Sequence, residues 1–441
     1  MIFRSTSLLL LAFATTVSAF DDLASLLDKP PEEGKIWAVL AAGSSTWLNY
    51  RHQADVCHAY QILKNHGIPD DRIIVMMTDD IAYHKENPTP GIIINHPNGN
   101  DVYKGVPKDY TGSTVTSKNF MAILRGDKKA LHGEGSGKVL ESGRNDHVFI
   151  YFADHGTIGG LIFSDNVLSS RELFQTICYM FTNRRYDKMV IYIEACYAGS
   201  MFENILPTYL NVYATVSAGS GRASHACYYD NFRKTYLGDS YSVGWMEDSD
   251  KKTLTKETLH QQYNVVKKET RSSNVQEFGD LSVSQLHVSE FQGRKESEPL
   301  VVPNVSMDLA RSDDVPMAIL KRRIQISHTP EEHREISWKI IKIHRNREFL
   351  SGKVKEIVAK LFPDQKFQNV IMEYRFQLKN FECYDKVQNH FNKECFSLPK
   401  NEYALRFMVV LVNICEIGVT SSRIITAMND VCTHPPIYGI V

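Results

Sequence analysis

The sequence has no Cys-x-x-Cys pair and no His-Glu-x-x-His run, and its 16 histidines show no metal-ligand spacing. A structural zinc site and a zinc-peptidase centre therefore lack their usual signatures. Nor is there an excess of either charge. Fifty Lys and Arg face 51 Asp and Glu, a formal net charge of −1, which offers no broad attraction to nucleic acid or anionic membrane. No apolar run is long enough to span a bilayer: Leu8 to Ala14 and Phe407 to Cys415 both fall short, and the second suits a core helix. Internal repeats and low-complexity tracts are absent. Gly133-Glu134-Gly135-Ser136-Gly137-Lys138 fails as a phosphate loop, because its first glycine spacing is wrong and Val139 replaces the required Ser or Thr. What remains is an ordinary globular composition, 43% hydrophobic and 23% charged over 441 residues, too long for one compact core and suited to two or three domains.

The N-terminus has the order of a secretory leader: Arg4, the apolar Leu8 to Ala14, then the small-residue pattern Val17-Ser18-Ala19. Residues 1–19 are expected to be a removed signal peptide, with 20–34 a short propeptide segment. The chain should then meet an oxidising compartment. Its eight cysteines divide accordingly into Cys57, Cys178, Cys196 and Cys227, and a late group of Cys383, Cys395, Cys415 and Cys432. The late group should staple its region by disulfides, with three connectivities open. The sequon Asn304-Val305-Ser306 makes Asn304 the expected glycan acceptor.

From 35 to 294 strand and helix signals alternate. Ile36 to Ala42 is a continuous apolar run ended by Gly43, the pattern of a buried strand. A helix is expected over Ala54 to Lys64, and a short strand over Ile73 to Met77. Val148 to Ala153 and Met189 to Ile193 are stronger strands, joined by a crossover helix over Arg171 to Phe181. Strand, helix and strand of this kind argue for parallel pairing buried on both faces. Residues 295–330 change character, with Pro299, Pro303, Pro316 and the basic run Lys321-Arg322-Arg323, and are expected to form an exposed, protease-sensitive linker. After Pro330, apolar residues at helical spacing (Ile336, Ile340, Leu350, Val354, Ile357) predict a separate helical domain over 331–441.

The two strong strands end in chemistry. In open parallel sheets, sites form at the carboxyl ends of strands. One delivers Asp154-His155-Gly156 there and its neighbour Glu194-Ala195-Cys196. A thiolate attacks carbonyl carbon, and an adjacent imidazole can hold the ion pair and then protonate the leaving amine. Gly156 and Gly199 would let backbone N–H groups approach a developing oxyanion. Cys57, Cys178 and Cys227 fall on helical or aromatic packing positions, which leaves Cys196 as the candidate nucleophile with His155.

The chain resembles the legumains, asparaginyl endopeptidases related in fold to caspases. The resemblance rests on Asn49-Tyr50-Arg51-His52-Gln53-Ala54-Asp55, Met76-Met77-Thr78-Asp79-Asp80-Ile81-Ala82-Tyr83, Gly105-Val106-Pro107-Lys108-Asp109-Tyr110, Asp154-His155-Gly156, Glu194-Ala195-Cys196 and Tyr236-Leu237-Gly238-Asp239. It extends from about Ile36 to the C-terminus. It implies a caspase-like three-layer α/β/α domain with a mostly parallel central sheet, followed by an all-α prodomain that caps the site as an intramolecular inhibitor. It implies protein or peptide substrates, an acidic endolysosomal or secreted setting, and neither cofactor nor metal.

By residue matching, the resemblance implies that Cys196 and His155 are catalytic, that Asn49 orients His155, and that the N–H groups of Gly156 and Cys196 form the oxyanion hole. It places Arg51, His52, Glu194, Asp239 and Ser224 in a pocket for the asparagine before the scissile bond. A carboxamide presents one acceptor and two donors, which Arg51 and the two carboxylates could match; the alternative is a purely structural salt bridge. Asp154 matches an aspartate able to cyclise to a succinimide, a feature tied to ligase activity. The implied disulfides are Cys383–Cys415 and Cys395–Cys432. Departures occur at Ser44-Ser45-Thr46, Tyr197-Ala198 and Ser217 to Gly221. Ile326 stands where a self-processed asparagine is usual, which leaves Asn346 or the basic run for activation. Two other readings are a glycolipid-anchor transamidase and a catalytically silent binding protein. Integrin binding by Arg125-Gly126-Asp127 is not expected, because that triplet should end a helix.

Overall fold

A computed structural model describes residues 34–441 apart from positions 271 and 304. The expected leader, the 20–33 part of the N-terminal segment and Asn304 lie outside the described residues.

The central sheet has six strands in the order Gln276–Gly279, Val212–Val216, Lys188–Glu194, His147–Ala153, Ile36–Ala42 and Ile73–Met76. All neighbours run parallel except the edge strand Gln276–Gly279, which is antiparallel. The neighbouring strands His147–Ala153 and Ile36–Ala42 are buried along their whole length, which explains their almost unbroken apolar sequence. Alternate side chains feed two cores. Ala38 and Leu40 pack with residues of the helices Tyr50–Asn65, Ser240–Lys251 and Leu259–Glu269, whereas Trp37, Val39 and Ala41 pack with those of Ser117–Arg125 and Ser170–Thr182. The result is a three-layer α/β/α body.

The first helix begins four residues before the expected Ala54. Its opening turn, Tyr50 to Gln53, is polar but buried, because it faces the ends of the strands rather than solvent. Burial without apolarity hides a helix from periodicity. The Arg125-Gly126-Asp127 triplet closes the helix Ser117–Arg125, with Gly126 in the left-handed conformation at φ 67°. Arg125 donates to Thr176 Oγ1 at 2.8 Å.

The 295–330 segment is not an exposed linker throughout: its second half is structured as far as Gln325, which leaves a mostly exposed tip over 325–330. Ala310–Arg311 adds to the strand His225–Asp230, and Val315–Gln325 is a helix whose Val315 and Ile319 pack against Ala226, Tyr229 and Tyr236. Pro316 reads as a linker signal in sequence, yet in a first helical turn its missing N–H is harmless.

Beyond it, Pro330–Leu361, Gln365–Glu373, Phe381–His390, Met408–Glu416 and Ser421–Val431 form the helical part. Disulfides join Cys383 to Cys415 and Cys395 to Cys432. Phe407 to Cys415 contributes a core helix, buried from Met408 to Cys415. This third core does not stop at the helices: Ile158, Cys196 and Tyr197 belong to it. Trp245 anchors the sheet from the other side, meeting the rings of Phe149, Tyr151 and Tyr192 at 5.9, 5.2 and 5.5 Å. Trp245→Ala is expected to cost about 3–5 kcal/mol, read as a lowered urea midpoint of unfolding.

Candidate active site

The strands His147–Ala153 and Lys188–Glu194 pair in parallel register with Ala153 opposite Glu194, and Asp154 N donates to Glu194 O at 3.0 Å. The chains leave the sheet in step, so His155 and Cys196 emerge side by side. Gly156 packs so closely on Cys196 that a Cβ there would lie 2.4 Å from the Cys196 carbonyl oxygen. The spacing demands glycine.

His155 Nε2 donates to Asn49 Oδ1 at 2.9 Å. Glu402, from the C-terminal part, reaches the same place: its Oε1 accepts from Asn49 Nδ2 at 2.8 Å and lies 3.3 Å from His155 Nε2. Burial disfavours the imidazolium, but Glu402 and then Asp154 outweigh it and raise the His155 pKa. Burial likewise opposes the Glu402 charge, yet His155 and Asn49 hold its carboxyl down at about 2. The Cys196 thiol is pushed up to about 12 by burial and then by Asp313. The backbones that carry the thiol and the imidazole are adjacent, and the thiol is held neutral.

A hydrogen-bonded line runs from the sulfur into a recess. Cys196 Sγ lies 3.7 Å from Ser224 Oγ, which donates to Ser312 Oγ at 3.1 Å, which donates to Asp239 Oδ1 at 3.3 Å. Arg51 Nε donates to the same Asp239 oxygen at 2.9 Å. Glu194 Oε2 accepts from Ser242 N and Oγ at 3.2 and 3.1 Å. Three buried atoms here have no hydrogen-bond partner: Arg51 Nη2, Glu194 Oε1 and Asp239 Oδ2. Burial raises Glu194 to about 8, and it raises Asp239 despite Arg51. His52 is kept well below its usual value by burial and then Arg51, so it is neutral. It contacts Ser44 Oγ at 2.7 Å and Asp154 Oδ1 at 3.2 Å. Asp154, raised by burial to about 7, also accepts from the His155 amide at 2.6 Å.

His52, Asp154 and His155 offer ligand atoms within 4.8 Å of one another, the one such group among the described residues. Sequence spacing did not reveal it, because a helix and a strand end bring them together. Each already has protein hydrogen-bond partners.

All of the expected site residues from the strand ends and the first helix thus gather around one recess. Sequence reasoning missed Glu402, Ser312 and Asp313, which cover it. Arg406 donates to Asp313 O at 2.9 Å, Arg347 pairs with Asp314 at 2.7 Å, and Thr157 Oγ1 donates to Leu405 O at 2.9 Å. No local pattern marks these residues.

Residues 36–294 match the family model "Peptidase C13 family", and residues 338–432 match "Legumain, prodomain". The chain is 50% identical over 411 residues to "Legumain" of Homo sapiens, covering 92% of this chain and 95% of that protein. It is 40% identical over 403 residues to "Hemoglobinase" of Schistosoma japonicum, covering 90% and 92%. It is 38% identical over 427 residues to "Vacuolar-processing enzyme delta-isozyme" of Arabidopsis thaliana, covering 91% of each. A caspase-1 crystal structure from Spodoptera frugiperda matches at TM-score 0.35 and 10% identity over 60% of this chain and 92% of that one, too distant a likeness to support an argument. Among the described residues no helix is long and apolar enough to cross a membrane.

The Glu402 contact has a defined pH window. Its depressed pKa stabilises docking above the ordinary glutamate value and loses that contribution as pH falls from about 4.5 toward 2. The raised His155 pKa works the other way, adding stability below about 6.5 and losing it as pH rises through the docked value. The cap should therefore hold at pH 5–6.5 and loosen below about 4.5. Amide exchange at Gly156 to Ile158 is expected to rise below that point. Glu402→Ala should loosen it already at pH 6, at a cost of about 3 kcal/mol.

Proposed function

The chain belongs to the legumain family of C13 cysteine endopeptidases and includes that family's prodomain, and from this we propose a zymogen that, once uncapped, cleaves peptide bonds after asparagine and, at lower pH, after some aspartates. The observation that carries the specificity is the set of unpartnered atoms in the recess. Arg51 Nη2 is a donor, and Glu194 Oε1 and Asp239 Oδ2 are acceptors, each buried and unpaired. A buried polar atom left without a partner costs about 1–3 kcal/mol. An asparagine side chain offers the complement, one carbonyl oxygen and two N–H groups. With the Glu194 charge disfavoured by burial unless an N–H group donates to it, and Asp239 balanced by Arg51, the recess suits an uncharged amide. Lysine would meet the Arg51 charge. Aspartate would meet the Asp239 charge until acid neutralises one of them.

The reaction follows from the neighbouring groups. Cys196 Sγ attacks the carbonyl carbon after its proton passes to His155, and the oxyanion is held by the N–H groups of Gly156 and Cys196. His155 then protonates the departing amine as the C–N bond breaks, and a water deprotonated by His155 releases the acid from sulfur. Asn49 fixes the ring by accepting from Nε2, which leaves Nδ1 to exchange protons with the sulfur. Capping silences this centre: Glu402 occupies the His155 side, while burial and Asp313 keep the thiol neutral. Removing the cap takes Glu402 away from His155 and opens the thiol to water.

Ser224, beside the sulfur, is assigned to the substrate pocket with His52. The 2.6 Å approach of the His155 amide to Asp154 Oδ1 favours succinimide closure there, in which an N–Cγ bond forms and water leaves, and with it a ligase side activity. Asn304 is the proposed glycan acceptor, and the setting an acidic endolysosomal or secreted one.

Activation is assigned to a second peptidase. The turn between the helices Val315–Gln325 and Pro330–Leu361 exposes Ile326, His328 and Thr329, none of them Asn or Asp, and no Asn or Asp occurs from 315 to 345. Asn346 lies within the helix Pro330–Leu361, and Arg322 of the basic run stacks on the Tyr229 ring at 4.7 Å. Purified zymogen held at pH 4–5 should not sever itself between 315 and 346, whereas a trypsin-like enzyme should open the 321–329 region, as read by mass spectrometry of the new termini. The uncapped enzyme should cleave peptides with Asn before the scissile bond, Asp increasingly as pH falls, and Lys not at all, with Cys196→Ala inactive; equal cleavage of all three would overturn the pocket assignment.

A further inference from the structure

Behind the pocket lies a third carboxyl group that the mechanism above does not use. Asp55 sits one helical turn after Arg51 on the helix Tyr50–Asn65 and is 0% exposed. Its Oδ1 accepts from Asn95 Nδ2 at 2.7 Å, and its Oδ2 accepts from the Asp239 backbone N at 3.3 Å. The Asp55 carboxyl thus lies against Asp239, and the two acidic groups interact directly. Gly238 clears the space: a Cβ there would lie 3.0 Å from Asp55 Oδ1 and 2.8 Å from Asn95 Nδ2.

Two carboxyl groups in contact within a dry site cannot both be ionised, so one proton must sit between them. The environment decides where. Asp239 has Arg51 Nε at 2.9 Å, whereas Asp55 has an amide, a backbone N–H and the other carboxyl. The charge belongs on Asp239 and the proton on Asp55. Other titratable groups facing Asp55 are Glu194, Tyr151, Cys227 and Cys57. Burial raises all four, and the tyrosine and thiols are neutral across the acidic and neutral range.

We propose that Asp55 is a positioning residue of the pocket, a neutral acid whose O–H donates to Asp239 and so keeps that side chain an ionised acceptor aimed at Arg51 and the substrate carboxamide. The proposal rests on the assignment of Asp239 to the asparagine pocket. It also gives the selectivity a source. A protonated Asp239 could donate to a substrate carboxylate, so the asparagine preference depends on the proton staying one residue away.

Asparagine at position 55 can make the same donation through Nδ2 and still accept from Asn95, giving up only the long 3.3 Å bond from the Asp239 N–H; alanine can do none of these. In activated enzyme, Asp55→Asn should keep KM for an Asn peptide within about threefold, while Asp55→Ala raises it about tenfold or more, as leaving a buried acceptor unpaired does. Asp55→Ala should also narrow the preference for Asn over Asp, with kcat changed less than KM. If both variants fold and behave alike in KM and preference, the proposal is overturned. A readout independent of substrate uses infrared spectra of the uncleaved Cys196→Ala protein at pH 7. One protonated-carboxyl C=O band should vanish on adding Asp55→Asn. Persistence of that band refutes the proton assignment even if the pocket proves asparagine-specific. Its loss in an enzyme without asparagine preference would leave the proton in place and overturn only the pocket reading.

Discussion

The register between two strands governs this molecule. Because Ala153 stands opposite Glu194, the residues that follow leave the sheet together, and an imidazole and a thiol reach one rim although 41 positions separate His155 from Cys196. A slip of one residue would turn one of the pair to the other face. Two almost fully buried strands with side chains committed to separate cores resist such a slip. The recess beside the pair inherits the same order, since Glu194 ends one of these strands and Arg51 sits in the first turn of the helix that follows their neighbour Ile36–Ala42.

Around that rim, electrostatics divides the labour. Several carboxyl groups crowd near one guanidinium, and burial makes most of them reluctant to ionise. Glu194, Asp154 and Asp55 are pushed toward the neutral form, while Asp239 is balanced by Arg51. The recess thereby becomes polar without large net charge. The exception is Glu402, held firmly ionised by its contact with His155. It is the one carboxylate at the rim that arrives from the prodomain.

The legible part of the architecture was the part that obeys local rules. Continuous apolar runs marked Ile36–Ala42 and His147–Ala153, and the residues ending the strands pointed to Cys196 and His155. The opening turn of the first helix escaped because Arg51 and His52 are buried yet polar, so only resemblance to known motifs flagged them. The helix Val315–Gln325 escaped because Pro316 and Lys321-Arg322-Arg323 look like linker chemistry, whereas Val315 and Ile319 dock on Tyr229 and Tyr236. Glu402 had no signal at all. Its partner Asn49 is 353 positions away, and pairing over such a distance leaves no periodic trace.

The short strand Ala310–Arg311, with Asp313 and Asp314 just after it, would separate severing the chain from awakening it. It zips onto Ala226 and His225, and the next residue places Ser312 in the recess. A nick downstream at the inter-helix turn leaves that zipper intact and the helical cap seated. Such a nick would leave a two-piece particle still joined through Arg406–Asp313 and Arg347–Asp314, so a break visible on a denaturing gel would not count active molecules.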